Sequence, residues 1–272
     1  MTWSSILYPK PTLSEKRLHH FFSGRIVIVT GASSGIGEAL ARQLINVGAN
    51  LLLIARREEP LRKLCEEAHE AGCSAEYYAV DLRDPIALKH LCEELPQRLS
   101  QVDYFFANAG KSICRSLLES LNRAHDFDRT IDLNYRAVVH LSLALIPLLS
   151  KTQGAIIYTS SVSLLYPYAP RWSAYHASKG AADIWCQTAA LELRYVGCSL
   201  GIAYMPLVDT PMSAANELYR NLPSYSADDA AQILCRLAIS RRRTYIPWWA
   251  RVTAPLARLC SPLVRTYYRS FP

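Results

Sequence analysis

The eight cysteines of this 272-residue chain include no C-x-x-C pair and form no cysteine–histidine cluster at zinc spacing, so no metal site is expected. A chain of this length needs no disulfide framework to hold a core, and the cysteines are expected to be reduced thiols in a cytosolic protein. No stretch reaches the roughly 18 consecutive apolar residues that a bilayer span requires. Pro9, Pro11, Glu15, Lys16 and Arg17 interrupt the start of the chain, so no secretory signal is expected there. Acidic residues are missing from Arg241 to Pro272, a stretch that holds Arg241, Arg242, Arg243, Arg251, Arg258, Arg265 and Arg269. Of the 30 lysines and arginines, those outside this stretch equal the 23 acidic residues, so the net charge of +7 belongs to the tail alone. No binding module accompanies that charge, and a nucleic-acid partner is not expected.

Half the residues are hydrophobic, enough for a sizeable core. Apolar runs alternate with longer amphipathic segments along the chain. Strands are expected at 25–30, 50–55, 75–80, 102–107, 154–160 and 199–204, with a short seventh at 244–246. Helices are expected near 35–47, 58–71, 85–99, 127–149, 173–195 and 226–240. Asp84 with Pro85 marks one helix start, and Ser226 with Asp229 forms a capping box at another. Strands this apolar are buried on both faces, which predicts a single doubly wound α/β (Rossmann) domain around a mainly parallel seven-stranded sheet. That domain is expected over residues 24–246, with an N-terminal extension (1–23) and a basic aromatic tail (247–272).

The first strand runs into Gly31, Ala32, Ser33, Ser34, Gly35, Ile36 and Gly37, which open the first helix. Glycines allow a tight turn and close approach of the backbone, and a helix N-terminus presents free N–H groups to a phosphate. Three glycines at fixed spacing arise by chance in about one chain in ten; their place after the first strand favours a dinucleotide site over a plain turn. The second strand ends at Arg56 and Arg57, where an acidic residue would bind the ribose 2′-hydroxyl of NAD. Arginine there suits the 2′-phosphate of NADP, and Ser33 can add a hydroxyl. The bland alternative is a solvated helix start, because Glu58 and Glu59 follow at once.

Tyr175 and Lys179 lie four apart on a predicted helix and so share a face. An ammonium beside a phenol favours the phenolate, and the expectation is a Tyr175 whose pKa is lowered for proton transfer. Ser160 and Ser161 end the fifth strand, at the carboxyl edge where open α/β sheets bind ligands.

With its leading threonine, TGASSGIG resembles the fingerprint of short-chain dehydrogenases/reductases, and the likeness extends over roughly residues 24–246. It implies hydride transfer, from the pro-S side, between a nicotinamide and a carbonyl or alcohol carbon. It further implies that Asp81 and Leu82 contact the adenine, and that Asn108, Ala109 and Gly110 form the family's N-A-G motif. Ser161 is implied to hold the substrate oxygen, with Ser160 and Ser163 as alternatives. The family places that serine thirteen residues before the tyrosine; here the gap is fourteen. Asn134 is implied to hold a water that connects Lys179 to solvent. Val208 and Thr210 match positions that contact the carboxamide, although the family's P-G-x-V-x-T is here Pro206-Leu207-Val208-Asp209-Thr210, without its glycine.

The stretch YMPLVDTPM, with PSYSADDAAQILCRLAISRRR after it, looks like the reductase domain of bacterial enzymes acting on long-chain acyl groups. The expected substrate is therefore a hydrophobic small molecule or acyl thioester. Leu164, Leu165, Tyr166, Tyr168, Trp172, Met212, Leu218, Tyr219, Leu222 and Tyr225 are candidates to line its pocket, or else pack as core and lid. In the tail, Arg251, Arg258 and Arg265 recur every seven residues, interrupted by Pro255 and Pro262. One reading is peripheral contact with the inner face of a membrane. The other is packing on the domain, or across the interface of a homo-oligomer that relatives commonly form. A catalytically degenerate nucleotide-binding scaffold is the competing reading of the whole chain.

Overall fold

The computed structural model describes residues 6–269. Seven strands are present: β1 (Ile26–Thr30), β2 (Asn50–Ala55), β3 (Ala75–Ala79), β4 (Tyr104–Ala107), β5 (Ala155–Ser161), β6 (Ser199–Met205) and β7 (Thr244–Tyr245). They form one sheet in the order β3–β2–β1–β4–β5–β6–β7, every pair parallel. The chain builds outward from β1 to β3 and then crosses to β4 on the other side of β1. That reversal opens a crevice at the carboxyl ends of β1 and β4, where doubly wound sheets bind ligands.

The helices are α1 (Glu15–Phe22), α2 (Gly35–Ile45), α3 (Glu58–Glu70), α4 (Pro85–Arg98), α5 (Ala124–Ile131), α6 (Ala137–Thr152), α7 (Ser173–Glu192), α8 (Pro211–Ala214), α9 (Ala227–Ser240), α10 (Trp248–Leu259) and α11 (Ser261–Arg269). Side chains alternate across a strand, so each sheet face has its own core. Val27, Val29, Leu51, Leu53 and Ile157 pack with α1, α2, α3 and α9. Ile28, Leu52, Phe105, Ile156 and Tyr158 pack with α4, α6 and α7. Asp84 caps α4 as expected, its carboxylate accepting from the Ile86 and Ala87 N–H groups at 2.9 and 3.2 Å.

The helix expected over 127–149 differs from its prediction. It begins at Ala124, and a π-helical turn at Asp132–Arg136 separates α5 from α6. A π-turn inserts one residue into the regular ladder, an event that apolar periodicity does not reveal. The run from Ala124 to Thr152 is long and apolar enough to cross a membrane by length and composition, contrary to expectation. Its Val138, Leu141, Leu145 and Leu149 are nevertheless buried in the core. The prolines also behave differently from one another. Pro255 lies inside α10 without ending it, while Pro262 sits in the first turn of α11, where no intrahelical N–H is lost.

The segment before β1 contributes to the core. Phe22 is fully buried, with its ring centroid 4.7 Å from that of Tyr104 and 6.4 Å from that of Phe106. Phe22→Ala should therefore cost about 3–5 kcal/mol of stability. Urea denaturation checks this, and a loss under about 1 kcal/mol would mean that α1 is only loosely attached.

Candidate active site

The glycine loop takes its shape from close backbone contacts. Gly31 has φ 71°, and a Cβ there would lie 2.9 Å from the Ala109 Cα. A Cβ on Gly37 would meet the Gly31 carbonyl oxygen at 2.2 Å, so α2 packs against the turn as only glycine permits. Among the described residues, the backbone N–H groups of Ser34, Gly35, Ile36 and Gly37 donate to nothing within the protein. Unspent donors at the positive end of a helix suit the phosphates of a dinucleotide. Thr30 and Asn108 lock the crevice walls together. Thr30 Oγ1 donates to the Phe106 carbonyl (3.2 Å) and accepts from the N–H groups of Asn108 (3.0 Å) and Ala109 (3.1 Å). Asn108 Nδ2 donates to the Thr30 carbonyl at 3.2 Å, and Thr159 Oγ1 donates to Asn108 Oδ1 at 3.3 Å. The N-A-G segment is thus the stitch between β1, β4 and β5.

At the end of β2, Arg57 Nη2 donates to the Ser33 carbonyl at 2.7 Å, which brings the two predicted segments together. The exposed Arg56 makes no hydrogen bond or ion pair among the described residues. Asp81 is held by Arg83, whose Nε lies 2.9 Å from Oδ1, a partner the sequence reading missed. Hydrogen bonding to Arg83 holds the Asp81 carboxyl below its ordinary range, and Arg56 adds to the effect. Leu82 is buried beside it. Across the crevice, a Cβ on Gly35 would lie 3.0 Å from the Thr210 methyl, so the loop after β6 closes over the glycine turn. Thr210 Oγ1 caps α8, and Ser213 Oγ donates to the Val208 carbonyl at 2.7 Å. Val208 is buried and bridges to Tyr225.

Tyr175 and Lys179 stand one turn apart on α7. The buried Lys179 Nζ donates to the Thr159 carbonyl at 2.6 Å and lies 4.7 Å from the Tyr158 ring centroid. Burial pulls its pKa down to about 8. Tyr175 moves opposite to the sequence expectation. Burial raises its pKa, and a hydrogen bond with Ser161 opposes that rise. Desolvation by burial is the larger of the two effects on the phenol. The phenol is therefore held in its neutral, proton-donating form.

The period of the strand separates the three serines. Ser160 points with Tyr158 and donates to Asp183 Oδ1 at 3.1 Å. Ser161 faces the other way, toward Tyr175, and its Oγ lies 2.9 Å from Ser163 Oγ. Ser161 is thus the serine brought to the tyrosine, with Ser163 supporting it. The fourteen-residue gap contains a 3₁₀ turn at Val162–Leu165 and a left-handed Arg171 with φ 70°. Asp183, which sequence reading missed, also accepts from Tyr204 (3.0 Å) and Gln187 (2.6 Å). Its one signal was its place four residues after Lys179. Asn134 is buried in the π-turn. Its Oδ1 accepts from the Lys111 N–H (2.8 Å), while Nδ2 donates to the Lys111 carbonyl (3.0 Å) and Ser178 Oγ (2.9 Å). It pins the segment after the N-A-G motif to α7.

The pocket candidates divide. Trp172 stacks on Tyr219 with ring centroids 5.9 Å apart, and burial, with Tyr175 and Cys114 nearby, pushes the Tyr219 phenol up to about 12. Tyr219 thus lies near Tyr175. Tyr225 instead belongs to the core, its hydroxyl donating to the Pro9 carbonyl at 3.2 Å. Met212, Leu218 and Leu222 are exposed. An open depression of about 470 Å³ lies along Tyr168, Pro170, Ser173 and His176, outside the Ser161–Tyr175 pair. Also unforeseen is Asp126, a buried carboxylate met by Arg115, Arg123 and Arg129.

The sheet-edge crevice, the unspent loop donors and the Ser–Tyr–Lys group define a nicotinamide-dependent oxidoreductase site. The short chain dehydrogenase family model matches residues 25–220. The chain belongs to the short-chain dehydrogenase/reductase family of oxidoreductases. It is 36% identical over 239 residues to a fatty acyl-CoA reductase of Acinetobacter baylyi, covering 88% of this chain and 78% of that protein. It is also 36% identical over 220 residues to a fatty acyl-CoA reductase of Mycobacterium tuberculosis, covering 80% and 75%. A short-chain dehydrogenase from Sphingobium yanoikuyae in complex with NADPH superposes with TM-score 0.76 at 25% identity, covering 91% and 96%. A Burkholderia phymatum relative in complex with NAD gives TM-score 0.77 at 23% identity, covering 89% and 96%.

Lys179 should titrate near pH 8, well below the ordinary lysine value of 10.5. Below pH 8 the folded protein bears the full cost of a desolvated ammonium. As pH rises from 8 toward 10.5, the unfolded chain binds more protons than the folded one, so this cost is relieved and stability rises. Carbon-13 NMR of lysine-labelled protein, with Lys179→Met to assign the signal, checks the midpoint. A value above about 10 would mean that the ammonium stays hydrated.

Proposed function

We propose that this chain is an NADP(H)-dependent reductase of a hydrophobic, acyl-chain-like carbonyl, an aldehyde or the 3-oxo group of an acyl thioester. The observation that carries the reading is the placement of Tyr175 beside Ser161, one helical turn from the buried Lys179 ammonium that the Thr159 carbonyl holds at the sheet edge. The names of the two acyl-CoA reductase relatives support the acyl chain. Arg56, uncommitted beside the Arg57–Ser33 link, supports the 2′-phosphate of NADP.

When bound, the nicotinamide supplies or accepts the hydride. The unspent N–H groups of Ser34, Gly35, Ile36 and Gly37, with Gly31 and Ser33 shaping the turn, would hold the pyrophosphate; Asp81 and Leu82 would contact the adenine, and Val208 and Thr210 the carboxamide. Asn108, Ala109 and Gly110 fix the floor between them. The Tyr175 and Ser161 hydroxyls both donate to the carbonyl oxygen. Tyr175 transfers its proton as negative charge grows on that oxygen, and fixed donors stabilise the charge without reorganising. The Lys179 ammonium then favours the phenolate left behind. In the oxidative direction the same phenolate accepts the alcohol proton. Asn134 holds the Lys111 backbone and Ser178 in place, and the second lone pair of its Oδ1 suits the relay water implied by the family likeness.

A homo-oligomer belongs to the same reading, because α6 and α7 expose Leu143, Ile184 and Leu191 on their outer faces. So does a cytoplasmic location, at the inner face of a membrane where an acyl substrate partitions.

Tyr175→Phe should lower kcat at least about 100-fold and leave NADPH binding within a factor of about two. Near-normal turnover in this variant would remove Tyr175 from the chemistry. Arg56→Asp should weaken NADPH at least about tenfold and NADH hardly at all, a loss worth roughly 1.4 kcal/mol or more. Equal loss of both cofactors, read by fluorescence titration, would take Arg56 out of the cofactor argument. NADPH consumption with fatty aldehydes and long-chain 3-oxoacyl thioesters should exceed that with small ketones. No consumption with any carbonyl would favour the scaffold reading.

A further inference from the structure

The tail arginines do not form the outward face that their seven-residue spacing suggests. Arg258 Nε donates to the Leu165 carbonyl at 2.9 Å, and its Nη2 donates to the Leu164 carbonyl at 3.4 Å. Arg265 donates to the Tyr168 hydroxyl at 3.2 and 3.1 Å, with its guanidinium 5.9 Å from that ring's centroid. The Tyr166 hydroxyl and Thr253 Oγ1 are 2.6 Å apart. One side of α10 and α11 is therefore fastened to the loop that joins Ser161 to Tyr175. The opposite side carries an apolar row in solvent, with Val252, Leu256, Leu259 and Leu263 exposed to 58, 55, 80 and 72%. Two short helices with exposed leucines on one side and arginines at their flanks have the build of an interfacial segment.

We infer that α10 and α11 dock this protein on an anionic lipid surface, with the leucine row entering the headgroup boundary, and so hold the substrate loop at that surface. Charge selects this occupant. The stretch from Arg241 to Pro272 has seven arginines and no acid. A second copy paired through the leucine row would bring two such acid-free, arginine-rich tails together, because a two-fold contact uses one patch twice. Anionic headgroups supply the missing partner and attract basic segments within a Debye length. The inference deepens the proposed acyl-chain reading, since a chain dissolved in a bilayer would be delivered beside the loop that joins Ser161 to Tyr175. Lipid docking is measured without turnover, so it can fail while the acyl-reductase reading stands, and the reverse.

The test is co-sedimentation of the full chain with vesicles of phosphatidylcholine and phosphatidylglycerol (7:3), against phosphatidylcholine alone. The expected result is at least about tenfold tighter binding to the anionic vesicles, weakened by raising the salt from 0.1 to 0.5 M. Leu256→Glu combined with Leu259→Glu and Leu263→Glu should reduce that binding at least about tenfold with the melting temperature unchanged, because these side chains support no core. Light scattering of both proteins completes the experiment. Wild-type binding by the triple variant, or no binding of wild type to anionic vesicles, overturns the inference. An oligomer that binds no vesicles and dissociates on the triple substitution would assign the row to a second copy instead. If the triple variant unfolds, Leu259→Glu alone, at the most exposed position of the row, is read in the same assay and must still weaken binding.

Discussion

A single buried positive charge organises the sheet edge. The Lys179 ammonium is desolvated by α7 and β5, and it persists there because the Thr159 carbonyl accepts from it and the Tyr158 ring faces it. Burying such a charge is costly, which is why the lysine pKa falls. Its neighbours follow from that constraint. Tyr175 lies on the same helix face, and Asp183, one turn further along, favours the charged lysine. Asp183 in turn needs donors, which Ser160, Tyr204 and Gln187 provide. The polar residues of β5, β6 and α7 form one connected set around Lys179 and Asp183, not separate local contacts.

Much of this was legible from residue order. The apolar strands, the glycine turn opening α2 and the Tyr–Lys pair each carry a local signal of spacing or period, and all of them stand where that signal puts them. The π-turn carried none, since one extra residue in a ladder leaves the apolar pattern almost unchanged. The direction of the Tyr175 shift was also out of reach. Proximity to a lysine can be read from spacing, whereas desolvation depends on what the rest of the chain packs around the pair. The choice among the serines could have been made earlier from the two-residue period of β5, because Tyr158 and Ser160 must share a face. The tail's basic repeat left two readings open, a membrane contact and packing on the domain, and Arg258 does reach the domain, because guanidinium groups are strong donors and the Leu164 and Leu165 carbonyls lie within reach.

The two ends of the crevice obey different physics. At the cofactor end, recognition is built from backbone: free N–H groups, close glycine contacts and the Thr30–Asn108 stitch. Side-chain variation there is constrained by distances near van der Waals contact. Near Tyr175, by contrast, Trp172, Tyr219 and the loop after β6 pack through large side chains on segments with little regular structure. Shape there can change without disturbing the sheet, as is usual for loops on a rigid scaffold.

The π-turn at Asp132–Arg136 has a geometric consequence for how this site could be altered. Each α-helical residue advances the chain by roughly 100° of rotation. Excising one residue from the turn would restore an ordinary ladder but swing either Asn134 or the apolar stripe of α6 a quarter-turn or more out of place. The helix cannot keep both its grip on the sheet and its buried amide with one residue fewer. Length at this point is therefore as constrained as residue identity, and a deletion there would cost far more than most substitutions.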